Sequence, residues 1–153
     1  MQQRNELGNL KVTYVCVTLK LLNMRKEIKQ TWNFKQSPQE VWEYLTKPEL
    51  IAQWLMETDF QPIVGHKFIF TCGKTTHCEV IEVKPFTKLS YLWNPGLGSD
   101  GKPFISKVEW TLMSKDNGTE LQLVHDGFTP MADYKGHVEG WDVCGKKLEE
   151  LLK

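Results

Sequence analysis

Two of the four histidines in this 153-residue chain stand in one short stretch, HDGFTPMADYKGHVEGW at 125–141, beside Asp126, Asp133 and Glu139. Imidazoles close to carboxylates suit proton transfer or metal binding. Zinc held by His125 and His137 would need a third ligand, and no HExxH or comparable spacing offers one, so neither a metal nor any other cofactor is expected. The second reactive grouping is CGKTTHC at 72–78, where His77 lies between the thiols of Cys72 and Cys78. A nearby imidazole can activate a thiol, but His77 and Cys78 are neighbours on a predicted strand and point to opposite faces. These thiols are therefore expected to be structural. The glycine-rich NPGLGSDGKP at 94–103 lacks the Lys-Ser/Thr ending and the following helix of a phosphate loop. It reads as a mobile lip at a cavity mouth or as a long hairpin loop.

These residues must be positioned by regular elements, and the order of those elements is legible. From Ile28 the chain alternates, with Ile28, Gln30, Trp32 and Phe34 on one face of a strand. SPQE follows: Ser37 suits a helix N-cap, Pro38 the first helical position, and Glu40 the capping box. Val41, Trp42, Tyr44 and Leu45 form the apolar side of that helix, and Pro48 opens a second short one carrying Leu50, Ile51, Trp54 and Leu55. Beyond Gly65 come the strands KFIFTC, HCEVIEVK, KLSYLWN, FISKVEWTLM and TELQLVHD; the last two are joined at Asp116-Asn117-Gly118, a strong hairpin signal. The last strand is expected to end at Asp126, with Gly127 to Pro130 as a turn. From Asp133 to Lys153 the apolar period becomes helical, through Tyr134, His137/Val138, Trp141, Cys144/Gly145, Leu148 and Leu151/Leu152. A helix of about 20 residues at 1.5 Å each can cross a whole sheet.

Composition narrows the function. Nineteen basic residues balance nineteen acidic ones, so no overall field draws the chain to nucleic acid or to an anionic membrane. No run approaches the roughly 20 apolar residues of a membrane span. VTYVCVTLKLL at 12–22 has too short an uncharged part, and no small-x-small site after it, for a signal peptide. Four cysteines without a CxxC pair read as reduced thiols, so a cytoplasmic protein is expected. Residues 1–23 read as an N-terminal extension, either an extra strand or a loosely packed arm, ahead of a single domain over 24–153. Six Trp, seven Phe and four Tyr supply rings enough to fill a core or to line an apolar pocket.

Four segments in this order, SPQEVWEYLTKPELIAQW, EVIEVKPFTKLSYLW, GTELQLVHDGF and GHVEGWDVCGKKLEELL, resemble the SRPBCC superfamily of START-like helix-grip proteins. The nearest resemblance is to the family named for the C-terminal domain of the activator of the 90-kDa heat-shock protein ATPase, over residues 28–153. It implies an α+β helix-grip fold: a curved antiparallel sheet wrapped around a long C-terminal helix, with two short helices after the first core strand. It also implies a cavity between sheet and helix that in many members holds an apolar ligand. The chain departs from the pattern at Cys78, where a small residue is usual, in its first 23 residues, and in lacking the separate chaperone-binding domain of the eukaryotic activator.

The cavity candidates are Trp32, Phe70, Tyr91, Trp93, Trp110, His125, His137 and Trp141. The same rings could equally plug the cavity. His125 shares a face with Leu121 and Leu123, as a polar anchor or as a strand-end histidine bonded to backbone or to Asp126; His137 shares a helical face with Trp141. The functional expectation is a protein that binds a small lipophilic or aromatic molecule, with no catalytic residue assigned. A chaperone-regulating interaction module and a cyclase- or aromatase-like enzyme are the alternatives. Oligomeric state is left open.

Overall fold

A computed structural model describes residues 26–153. The expectations for residues 1–23 lie outside the described residues. The first strand, β1 (Lys26–Phe34), buries Ile28, Trp32 and Phe34 on one face as its alternation demands. Ser37 then caps helix α1 (Pro38–Thr46), its hydroxyl accepting from the Glu40 amide at 3.3 Å, with Pro38 at the helix start. Helix α2 (Pro48–Trp54) begins at once with a second proline, and the Trp54 indole N–H donates to the Tyr44 carbonyl at 2.8 Å. That bond fixes the angle between the two short helices.

The remaining strands are β2 (Glu57–Thr58), β3 (Lys67–Cys72), β4 (Lys74–Lys84), β5 (Lys88–Leu97), β6 (Pro103–Lys115) and β7 (Gly118–Phe128). With β1 they form one seven-stranded antiparallel sheet in the order β1-β7-β6-β5-β4-β3-β2. Register shifts at Val80/Glu82 and Trp93/Gly96 mark bulges, which bend and twist the strands that carry them. The β6–β7 turn has Asp116 and Asn117 at positive φ, 49° and 64°, as a tight hairpin requires. Gly118 after it lies against β1 so closely that a Cβ there would overlap the Phe34 carbonyl.

Several boundaries differ from expectation: β4 begins at Lys74 rather than His77, and β2 was not expected. The hairpin loop within NPGLGSDGKP is shorter than expected: β5 runs to Leu97 and β6 starts at Pro103, which leaves residues 98–102 as the connection. Asn94 Oδ1 accepts from the Gly96 amide across the bulge, and the positive φ of Gly96 lets pairing resume beyond Pro95. β7 continues to Phe128, because Gly127 at φ 109° rests directly on the Ser106 backbone. The C-terminal helix α3 (Met131–Leu151) starts two residues early, at Met131.

Helix α3 lies on the sheet by Trp141, Gly145 and Leu148. At Gly145 the backbone sits on the Trp32 indole, and an added Cβ would come within 2.7 Å of the ring. At the centre, the Trp110 ring lies 6.2 Å from Trp32, 5.9 Å from Trp54 and 5.5 Å from Trp141, tilted or edge-to-face in each pair. The middle of the grip is filled with indoles.

Candidate functional site

Where α3 leaves the sheet, four rings from three elements meet. β5 supplies Trp93, β7 supplies His125, and the first half of α3 supplies His137 and Trp141. The Trp141 indole N–H donates to His125 Nδ1 at 3.0 Å, and His125 Nε2 lies 2.7 Å from the Ser106 hydroxyl. An indole only donates, so His125 Nδ1 carries a lone pair and the ring proton sits on Nε2. Ser106 receives that proton's bond and passes its own to the Trp93 carbonyl at 3.1 Å. The Trp93 indole N–H in turn donates to His137 Nε2 at 3.3 Å, and His137 Nδ1 donates to the Asp133 carbonyl at 2.8 Å. Both imidazoles are thereby neutral, each in a single tautomer. Trp93, accepting at its carbonyl and donating from its indole, joins the bonds at His125 to those at His137.

Electrostatics favours the same state. Burial holds His125 well below the usual histidine range, and the charge that His137 would carry pushes the same way. Burial lowers His137 as well, opposed in part by its bond to the Asp133 carbonyl and by the Asp133 carboxylate. The Asp133 carboxylate accepts from the Ser99 amide at 3.0 and 3.2 Å, pinning the β5–β6 turn to the first turn of α3.

Above these rings lies a cleft of about 360 Å³, within the size range of small-molecule sites. Trp93, His137 and Trp141 line it; Leu55 and Met56, after α2, stand among its walls. The α3 wall is built from Ala132, Asp133, Gly136, Gly140 and Cys144. A Cβ added at Gly136 or Gly140 would meet nothing within 4 Å, so the glycines leave open space beside the helix backbone. A larger hollow of about 430 Å³ near the end of α3 is edged by Lys35, Glu149, Glu150 and Lys153. Its charged rim suits solvent better than a ligand.

Of the expected cavity residues, Trp93, His137 and Trp141 border this cleft. Trp32, Phe70, Tyr91, Trp110 and His125 are packed in the core beneath it. His125 is fully buried and bonds to Ser106 and Trp141, neither to backbone nor to Asp126. Tyr91 is held by the Trp110 indole N–H at 3.0 Å, and burial raises its phenol far above its ordinary range. Leu55, Met56, Ala132, Asp133, Gly136, Gly140 and Cys144 were not foreseen as site residues. The four-residue spacing of Ala132, Gly136, Gly140 and Cys144 was a usable signal, since it puts small side chains along one helical stripe. Among the thiols, Cys78 is buried and His77 beside it is exposed on the other face, as strand geometry requires. Desolvation pushes the Cys78 thiol up to about 12. Among the described residues no group of three or more His, Cys, Asp or Glu side chains is placed to hold a metal ion, and no helix is long and apolar enough to cross a membrane.

With each imidazole engaged at both nitrogens, the rings offer a ligand apolar surface and no free base. A curved sheet gripping a C-terminal helix, with a cleft between them, defines the SRPBCC helix-grip class. Residues 35–153 match the model for Activator of Hsp90 ATPase homolog 1-like proteins, and the chain belongs to that family. A crystal structure of a Mesorhizobium loti protein is similar at 35% identity and TM-score 0.78, covering 83% of this chain and 96% of that one. A solution structure of a Bacillus halodurans protein is similar at 25% identity and TM-score 0.68, over 84% of this chain and 97% of that one. The Aha1 dimer from Colwellia psychrerythraea shares the fold at 18% identity and TM-score 0.71, over 83% and 96% of the two chains. No curated protein matches the chain.

Proposed function

We propose that the chain binds a small apolar or aromatic molecule in the cleft between the sheet and the C-terminal helix, and that it works in the cytoplasm. The observation that carries this reading is the character of the cleft: about 360 Å³, bordered by Leu55, Met56 and two indoles, with its histidine already bonded at both nitrogens. Such a surface gains by burying apolar area, at about 25 cal/mol per Å² removed from water, and would leave an anionic ligand unpaired, Asp133 being its one charged side chain. Trp93 and Trp141 supply contact, and the glycine wall of α3 lets a flat molecule approach the helix backbone. Native mass spectrometry of the purified protein tests the reading: a co-purified or added lipophilic molecule should remain bound. Binding that persists unchanged when Gly140 is replaced by Phe would place the molecule elsewhere and sink the proposal.

The family description favours a second reading, in which a surface of the domain regulates a chaperone ATPase. An unaltered ATPase rate on adding this protein to the chaperone would remove it.

A further inference from the structure

Trp93 and His137 form the one hydrogen-bonded pair in which both rings border the cleft, and their bond has a fixed polarity. The indole can only donate, so the bond exists only while His137 Nε2 is unprotonated. A proton on Nε2 would set one N–H against another across 3.3 Å. His137 Nδ1 would keep its bond to the Asp133 carbonyl, whereas Trp93 would lose its partner. Resting on the ligand-binding reading above, we propose that His137 is an acid-operated latch: protonation releases Trp93, opens the cleft wall, and makes the protein let go of its ligand in acid.

The surroundings favour His137 over His125 as the proton's site. His125 packs against His137 with ring centroids 5.4 Å apart, and it is enclosed by Trp93, Trp141, Phe128 and Ser106, none of them charged. His137 faces the cleft and has Asp133 one turn before it on α3. From β6 and β7 it meets the rings of Phe104 and Phe128, and from β5 that of Trp93. Leu55 and Met56, across the cleft, carry no charge. In the β5–β6 turn Asp100 lies beyond Gly98 from Asp133, its carboxylate accepting from the Lys102 amide. Asp133 is thus the carboxylate placed to stabilise an imidazolium at 137, and a charge there disfavours a second proton on His125. The lowered affinity of His137 for protons sets the latch on the acid side of the ordinary histidine range.

Two measurements on the whole chain test the latch separately from the ligand reading. In the ligand-free protein, the indole N–H resonance of Trp93 should shift together with the His137 imidazole between about pH 7.5 and pH 4.5 while circular dichroism stays folded. A Trp93 signal that ignores His137 protonation, or unfolding before any shift, would overturn the latch. The neutral fluorophore N-phenyl-1-naphthylamine then probes the cleft. Its Kd should rise by up to roughly tenfold per pH unit below the His137 midpoint, the limit for one linked proton. In His137→Gln, whose side-chain oxygen can still accept from Trp93, that slope should vanish; an unchanged slope would refute release. Failure of the probe to bind at any pH would count against the ligand reading and the release that depends on it, while the resonance titration still decides the latch.

Discussion

Trp141 donates its indole N–H to His125 Nδ1 at 3.0 Å, so the C-terminal helix is tied through the core to the last strand by one directional bond. His125 is fully buried, out of reach of the solvent that could replace that donor. Trp141→Phe keeps most of the ring packing but orphans the imidazole nitrogen, and should cost about 1–3 kcal/mol. Urea denaturation of the two proteins measures the difference.

Gly145 and the pair Gly136 and Gly140 should respond to alanine in opposite ways. At Gly145 a Cβ would meet the Trp32 indole at 2.7–2.9 Å. The overpacking cost of about 1–3 kcal/mol exceeds the ~1 kcal/mol that alanine contributes to a helix, so Gly145→Ala should lower Tm.

At Gly136 and Gly140 a Cβ meets nothing within 4 Å, so helix propensity acts alone. Each alanine should stabilise by up to about 1 kcal/mol. Both methyl groups project at the cleft wall, and the double variant should bind a lipophilic probe more weakly while melting higher. Stability and binding measured on one sample would separate the two effects.

Stability should fall in acid through the two histidines. Both are held below their ordinary pKa in the folded state, chiefly by burial, so the unfolded chain takes up protons first as pH drops. Their contribution is complete above roughly pH 6.5 and is lost as pH falls from there toward the folded values, at up to ~1.4 kcal/mol per pH unit for each proton. Denaturation midpoints should therefore decline below that pH, and less so in His137→Gln.

The thiols should divide by burial. Cys78, pushed up to about 12, should resist iodoacetamide at neutral pH until the chain unfolds, whereas the exposed Cys72 should label in the native protein. Peptide mapping after a short exposure reads both sites.

Much of the fold was legible because it depends on neighbours in sequence. The Ser37 cap, the Asp116-Asn117-Gly118 hairpin and the alternation of Ile28, Trp32 and Phe34 each express a local rule, and each is found where that rule puts it. The loop expected over 94–103 proved shorter because glycine and proline mark bulges as well as loops, and only the pairing between β5 and β6 assigns residues 94–97 to strand. Likewise, an inward-facing aromatic has the same signature whether it fills a core or borders a cleft. Trp110 and Trp93 alternate identically on their strands, yet the first is packed among Trp32, Trp54 and Trp141 and the second stands at an opening.

By itself, the sequence determined most of the elements and their order, since capping, periodicity and turn chemistry act over a few residues, and the resemblance of its motifs implied the helix-grip class. Tertiary structure alone decided both partners of His125 and the bond from Trp93 to His137. Ser106, His125, Trp141 and Trp93 are far apart along the chain, and the sheet and helix bring them within hydrogen-bond reach. The donor-only indoles then dictate which nitrogen of each imidazole stays bare. That constraint exists only once the rings have met.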